Sequence, residues 1–518
     1  MTVEIVQRDN NLFLVNGDRE QCFSMEDVKS NLHFHQDVAS ALGCQPKDVL
    51  QAYLRFESVS RVQDIERGRF DDEANQQPVD EDLVGKPTPR RVANRLMKAD
   101  YYATLAGSEE ILVYRDGIYV EAKDYIKQRI QLNEEEETPN KYFISETLGH
   151  IERTAYYPVE EFDADPTVLN VKNGLISTET FTISEHTPTY LSRVQLPIRF
   201  DPNADCPTIK KFLSEVMYEE DLSTAQEYVG SCLWRGYETQ KALLLIGEGS
   251  NGKSTFINLI KALLGRENIS TRGLQELEYN RFAKADLYGK LANLYPDLSS
   301  TALTSTGTFK QITGGDPFTV EYKFRNGFSV VNYAKLIFSC NRIPESVNDD
   351  STAFFRRWII LSFPNSFEGT NQNQNLLSQL TTPEELSGFF NWALQGLQRL
   401  KTQRWKFTNS KSTEEIREEY IRKSSPIQAF IMDCLTQKSD GTISKQILYE
   451  NFTAYCLRDK LPTVTRETFF KNLPKHIVVN TAKIEKVPSF IGLALKPVDQ
   501  WRKDEDTDDL EGTLDSHV

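Results

Sequence analysis

Paired cysteines are missing from this 518-residue chain: Cys22, Cys44, Cys206, Cys232, Cys340, Cys434 and Cys456 are scattered, with no Cys-x-x-Cys among them. That spacing excludes a zinc ribbon and supplies no disulfide framework, so reduced thiols are expected. Long apolar runs are missing as well. The longest, such as Ala242 to Ile246, fall far short of the ~20 residues needed to cross a bilayer. Met1-Thr-Val-Glu does not open a basic-then-apolar leader. A cytoplasmic protein with no membrane partner is the expectation. Positive charge is in deficit: 60 Lys and Arg against 75 Asp and Glu give a formal charge of -15. A protein that coats nucleic acid over its whole surface is thereby excluded, and any such contact has to be local. A ring meets that restriction, because each subunit need place only one or two cations in a shared channel.

What is present is ordinary globular composition, 39% hydrophobic and 26% charged, enough to bury real cores. At roughly 150 residues per domain the length predicts three or four units. Val3 to Val6 and Leu12 to Val15 alternate around Asp9-Asn10-Asn11, which predicts a β-hairpin. Helical patterns run from about Met25 to Arg67, and Phe70 to Pro89 has acidic linker composition. A helix is expected from Arg91 through Tyr102. Two strands should follow around Asp116-Gly117, then an acidic surface loop at Glu134 to Glu137. Short strands are expected over Val168 to Pro202, and a helix from about Pro207 to Met217. Thr382-Pro383-Glu384-Glu385 reads as a helix start with a capping box, and a charged helix over Thr413 to Lys423 stops at Ser424-Ser425-Pro426. The resulting expectation is a multidomain α/β chain. Residues 1–89 form a small α+β region and linker, 90–205 a pre-motor domain, 206–375 a P-loop motor on a parallel sheet, 376–424 a helical segment, 425–500 a winged helix, and 501–518 a disordered acidic tail.

The strongest chemical signal is Gly247-Glu248-Gly249-Ser250-Asn251-Gly252-Lys253-Ser254, followed by Thr255, which fits the Walker A pattern at every required position. A short buried-type strand, Lys241 to Ile246, precedes it, and an apolar-periodic helix, Ser254 to Leu264, follows. Backbone N–H groups of such a loop close around phosphates, Lys253 neutralises the β/γ oxygens of ATP, and the Ser254 hydroxyl ligates Mg²⁺. A second carboxylate ligand is needed at a neighbouring strand end. Leu291-Ala292-Asn293-Leu294-Tyr295-Pro296-Asp297 offers Asp297, although Pro296 is awkward in a central strand and a simple turn aspartate fits the same letters. Ala334 to Asn341 is a buried strand delivering an amide, Asn341, either a γ-phosphate sensor or a turn former. Phe354-Phe355-Arg356-Arg357-Trp358 sets two guanidinium groups beside an apolar strand: one is an arginine finger for a neighbouring subunit, or both are ordinary salt-bridged flanks. Thr319 to Val331 alternates around Asn326-Gly327, a hairpin signal, with Lys323 and Arg325 interleaved by Tyr322 and Phe324. That chemistry suits a phosphate backbone, and a plain surface hairpin fits nearly as well.

Taken in order, GEGSNGKST (247–255), KLANLYPDLSS (290–300), TGTFKQITGGDPFTVEYKF (306–324), AKLIFSCNRIPE (334–345) and FFRRWIIL (354–361) resemble the superfamily III helicases, specifically the phage, plasmid and poxvirus-type primase-helicases. VYRDGIY (113–119) and NGLISTETFTISEHTP (173–188) resemble the domain that precedes the helicase there. The resemblance spans roughly residues 90–496 and implies an AAA+ fold assembling into a ring, usually a hexamer, with ATP sites between subunits and a DNA channel. It implies Lys253 and Ser254 on phosphate and Mg²⁺, Asp297 as the Walker B acid, Asn341 as sensor, Arg356 or Arg357 as finger, and Lys323 on the pore hairpin, with Arg325 and Lys310 also assigned to DNA.

The stretch before Arg90 is short and lacks an obvious Asp-x-Asp metal site or a zinc ribbon, so no primer synthesis is expected and a separate primase or polymerase becomes a natural partner. Near the other end, Ser444-Lys445 and Thr465-Arg466 open helices, and strand-like Ile477 to Val479 and Phe490 to Leu495 follow. This suggests a winged helix that either binds DNA through Arg466 and Lys471 or mediates protein contacts. The leading expectation is an ATP-dependent helicase replicating a virus, plasmid or integrated element, acting on single-stranded or forked DNA. The runner-up is a non-motor P-loop ATPase serving as origin-binding initiator or assembly switch, with a small-molecule phosphotransferase behind both.

Overall fold

The computed structural model describes residues 88–106, 109–133, 140–321, 327–346, 351–367, 373, 375–459, 461, 463–484 and 486–497, and the backbone of 4–8, 11–16 and 19–23. The expected helices of residues 25–67, the linker up to residue 87, the acidic loop and the acidic tail lie outside the described residues. The chain is a multidomain α/β protein with several sheets, one of them parallel. Contacts divide it into two units, residues 1–164 with 187–193, and residues 165–186 with 194–518.

In the first unit Glu4–Arg8 pairs antiparallel with Asn11–Asn16, closing at Arg8 and Asn11 as the turn residues predict. A third strand, Arg19–Phe23, was not foreseen. The helix Pro89–Ala99 is capped by Thr88, whose side chain accepts from Arg91 N at 3.3 Å. It stops short of Tyr102, which instead begins the strand Tyr102–Leu105. The reason is Asp100. Its backbone is extended, and its buried carboxylate takes the Arg115 guanidinium at 2.9 Å and the Tyr125 hydroxyl at 2.8 Å, contacts a continuing helix would not allow. Glu110–Arg115 and Ile118–Glu121 form the hairpin around Asp116-Gly117, both residues having positive φ. The resulting four-stranded sheet is covered by Lys123–Asn133 and Lys141–Thr154 over a core of Val92, Leu96, Val113, Ile126, Ile130 and Ile151.

The second unit is built on a five-stranded, all-parallel sheet in the order Ile269–Ser270, Ala292–Tyr295, Lys335–Cys340, Ala242–Ile246, Trp358–Ser362. Both faces are covered. Leu243 and Leu245 enter one core and Ala242 and Leu244 the other, the alternation a strand buried on two sides requires. The antiparallel strands Val168–Val171 and Gly174–Ser177 share the first of these cores with Phe212 of the helix Pro207–Val216.

A helix absent from the sequence reading, Glu219–Ser231, packs against Pro383–Thr402. Their backbones approach so closely that a Cβ at Gly230 would meet the Ala393 carbonyl at 2.4 Å. The expected capping box at the start of Pro383–Thr402 is half right. Thr382 accepts from Glu385 N at 3.3 Å, but the Glu385 carboxylate accepts instead from Thr208 N and Ile209 N, at 3.1 Å each. It caps the first turn of Pro207–Val216, where unsatisfied N–H groups and the helix dipole both favour an anion. Ser412 and Glu415 do form a capping box, opening Thr413–Ser424.

Residues 426–497 form a separate layer of three helices, Pro426–Cys434, Lys445–Arg458 and Arg466–His476, around Phe430, Phe452 and Phe469. Their sheet has the order Leu435–Ser444, Val487–Leu495, Asn480–Ile484. Its first strand was not foreseen, and the strand expected at Ile477 begins at Asn480, because Ile477 N still closes the preceding helix on Leu473 O at 3.2 Å.

Candidate nucleotide-binding site

Parallel strands leave their carboxyl ends on one edge of a sheet, and register decides which loops meet there. Ile246 pairs with Cys340 and with Ser362, and Phe338 pairs with Tyr295. Gly247, Asn341, Phe363 and Pro296-Asp297 therefore leave the sheet side by side. Pro296 presents no conflict, because the strand ends at Tyr295 before it. Ser339 ties the neighbouring turn down: its hydroxyl donates to Pro296 O at 2.9 Å and its carbonyl accepts from Leu298 N at 2.7 Å.

The loop from Gly247 to Gly252 is fixed by sterics at both ends. Gly252 has φ +90° and a Cβ there would stand 2.7 Å from Val216 Cγ1, while a Cβ at Gly247 would stand 2.6 Å from Phe363 O. Ser250 also takes a positive φ, and its carbonyl accepts from Phe367 N at 2.8 Å. Asn251 is buried and works both ways, donating to Phe363 O at 3.3 Å and accepting from Lys253 Nζ at 3.0 Å. Lys253 also donates to the carbonyls of Gly247 at 2.5 Å and Glu248 at 3.1 Å, so its ammonium is folded back over the loop. Burial pushes its pKa down.

Helix Lys253–Leu264 begins with no side-chain cap, which leaves its first N–H groups facing the loop. An anion is the complement to this arrangement of amides, ammonium and helix dipole. Ser254 and Asp297 are both exposed, and their hydroxyl and carboxylate are the hard oxygen donors that suit Mg²⁺. Glu248, Gly249 and Asn341 are exposed, Thr255 half-buried. Cys340 lies within electrostatic reach of Lys253, Asp297 and Lys423 together, with burial pushing its thiol up to about 12.

Lys423 is a residue the sequence reading missed. Its Nζ donates to Ser362 Oγ at 2.7 Å and pairs with Glu419 at 3.2 Å, so the helix Thr413–Ser424 brings a second cation to this edge. Nothing local in its sequence marks it, since the contact is made across 61 residues.

The two arginines are separated by their environment. Arg357 is buried and its Nη1 donates to Ala353 O, whereas Arg356 is exposed. Both precede Trp358–Ser362 and so stand at the amino edge of the sheet, opposite the loop. Five residues of strand correspond to about 16 Å. The Arg356 carbonyl accepts from Lys241 Nζ at 2.5 Å. Burial, with the Arg356 charge adding to it, pushes that lysine down to about 8.

The hairpin consists of Phe318–Val320 and Phe328–Val330, with Val320 paired to Phe328. The expected Asn326-Gly327 turn falls between these two strands, and Asn326 lies outside the described residues. Lys323 and Arg325 lie outside the described residues. The turn-side end of the hairpin's described strands is held by Tyr288 edge-on to Phe328 at 5.2 Å and by Arg281 with Glu321 at 3.6 Å. Lys310 is half-buried in the preceding helix Gly307–Gly314. Among the described residues no group of three or more His, Cys, Asp or Glu side chains is placed to hold a metal ion, and no helix is long and apolar enough to cross a membrane.

Residues 111–218 match the family described as D5 N terminal like, and residues 245–357 match a family of unknown function, DUF5906. The D5-type region is one of phage and viral primase-helicases, and residues 111–218 are similar to it. Among solved structures the chain is similar to the A form apo structure of the NrS-1 C terminal region, at 12% identity and a TM-score of 0.44 over 79% of this chain and 100% of that one. The apo structure of NrS-1 C terminal region (305-718) gives 14% identity and a TM-score of 0.42 over the same shares. At those scores the likeness fixes neither fold nor activity.

Proposed function

We propose that the chain is an ATP-driven DNA helicase subunit of the primase-helicase kind, serving replication of a virus, plasmid or integrated element and working as a ring of identical copies, most naturally a hexamer. The observation that carries this reading is the split of the hydrolytic groups between the two edges of one parallel sheet. The Walker A loop, Asp297 and Asn341 leave the carboxyl edge, and exposed Arg356 stands at the amino edge. A guanidinium there is too far to serve its own loop and is free to serve a neighbour's. That is the division a site between subunits requires, and the strand order suits the superfamily III AAA+ fold that the motif order resembles.

In this reading Gly247 to Ser254 bind the phosphates of ATP, and Lys253 exchanges its loop carbonyls for β/γ oxygens. Ser254 and Asp297 hold Mg²⁺, which neutralises charge developing on the phosphates. Asn341 orients the attacking water or senses the γ-phosphate, and Lys423 adds positive charge from the same subunit. Arg356 from the next copy stabilises the transferring phosphoryl group, a contribution of 10³–10⁵ in rate for fingers of this kind. Lys323, Arg325 and Lys310 grip single-stranded DNA, while residues 426–497 form a winged helix.

Lys253→Ala should abolish hydrolysis. Lys323→Ala should keep basal hydrolysis while losing DNA-stimulated hydrolysis and unwinding of a forked substrate. Normal unwinding by Lys323→Ala would remove the hairpin from the account.

A further inference from the structure

At the end of the helix Pro383–Thr402 the chain does something side chains normally avoid. Arg404 and Trp405 both take left-handed backbone conformations, φ 54° and 64°, where glycine is the usual occupant. Each such residue is strained by about 1 kcal/mol or more and persists only where its surroundings hold it. What the conformation achieves is to lay the Trp405 ring on Trp234, with centroids 5.2 Å apart and planes tilted by 42°. Both tryptophans are half-buried, packed on one side against the core. The Trp234 indole is oriented by its Nε1 donating to Glu238 Oε2 at 2.9 Å, and Lys401 Nζ stands 4.6 Å from the centre of that ring.

The segment that carries Trp405 is basic. Arg399 to Lys411 contains five Lys or Arg and no acid, in a chain whose formal charge is -15. Arg399 and Lys411 are engaged with Glu227 and Glu419. Lys401, Arg404 and Lys406 form no ion pair among the described residues, and Arg404 and Lys406 are exposed. This tryptophan pair also lies near the foot of the hairpin. The Lys335 ammonium donates to Trp234 O at 2.9 Å and to Tyr333 O at 2.9 Å, and Tyr333 follows the hairpin's return strand by three residues.

We infer that Trp234 and Trp405 form a stacking platform for an unpaired base, with Lys401, Arg404 and Lys406 holding the phosphates on either side, so that this edge is a second contact for single-stranded DNA. Aromatic faces beside unpaired cations are the chemistry that takes single strands regardless of sequence, because every base offers a π-face. Duplex would present only phosphates here, its bases being already stacked. The inference extends the helicase reading and rests on it only in the choice of DNA as the strand.

The test is anisotropy of a fluorescein-labelled 20-mer of thymidylate, and of an abasic strand of equal length, with the full chain. Trp405→Ala should weaken the thymidylate about tenfold or more and leave the abasic strand within twofold, and Trp405→Phe should recover most of the loss. Arg404→Ala with Lys406→Ala should weaken both strands alike and lower the salt dependence. Basal ATP hydrolysis unchanged in all three certifies that they fold. Equal thymidylate binding by Trp405→Ala and wild type would overturn the platform while leaving the helicase reading intact, and so would equal losses on both strands. Absence of any single-strand binding by wild type would overturn both.

Discussion

Arg399 Nε donates to Glu227 Oε1 at 2.5 Å, and the Glu227 side chain has no exposed surface. The same carboxylate accepts from Gln403 Nε2 at 3.1 Å and from Thr408 N at 2.7 Å. One buried anion thus ties Glu219–Ser231 to Pro383–Thr402 and to the loop that carries Trp405. Arg399→Ala would leave that charge without its cation, a change that costs about 3–5 kcal/mol in buried pairs. Arg399 is itself about one third exposed, so the lower end is expected. Denaturant unfolding should register it, and a loss below about 1 kcal/mol would mean that the remaining donors suffice.

Within the Walker loop two glycines should behave oppositely. Gly252→Ala forces a Cβ into a positive-φ residue 2.7 Å from Val216, and should lower both the thermal midpoint and nucleotide affinity. Gly249 has nothing within 4 Å of its Cβ position, so Gly249→Ala should leave the midpoint of the nucleotide-free protein unchanged within about a degree.

The parallel sheet and the loop after its Ala242–Ile246 strand were legible in the letters because the strands are continuous apolar runs and the loop has fixed spacing. Ala242–Ile246, Lys253–Leu264 and Lys335–Cys340 fall within a residue of where the pattern predicts. Glu219–Ser231 was not legible. Thr224 to Ser231 are all buried, so the helix has no polar stripe to set against an apolar one, and its Glu and Gln are satisfied only by residues far along the chain. Leu435–Ser444 was missed for the opposite reason, since its middle is polar and exposed. Glu385 obeyed the capping-box pattern in spacing but found a stronger partner in another helix. The Trp234–Trp405 pair and Lys423 are contacts between distant segments, which periodicity and propensity do not encode.

Alkaline pH should report on Lys241. Burial chiefly, and Arg356 secondarily, lower its folded-state pKa to about 8, against about 10.4 unfolded. Below pH 8 the ammonium is charged in both states and its burial opposes folding. As pH rises through 8 the folded protein releases the proton first, so this group's contribution to stability increases until about pH 10.4. Lys241→Met should therefore flatten the rise in urea midpoint between pH 7 and 9.5. Flattening, not abolition, is expected, because Lys335 is also lowered to about 8 by burial and remains in the variant.

The division of one ATP site between two copies is tested most directly by mixing two inactive proteins. Lys253→Ala keeps its arginine but has no working loop, and Arg356→Ala keeps its loop but has no finger to donate. Each alone should hydrolyse ATP at no more than about a thousandth of the wild-type rate, within the range assigned to such fingers. Combined in equal amounts and allowed to assemble, they should regain a substantial fraction of wild-type hydrolysis, because some interfaces pair an intact loop with an intact arginine. A mixture no more active than its components, or an Arg356→Ala protein hydrolysing at the wild-type rate, would contradict the account.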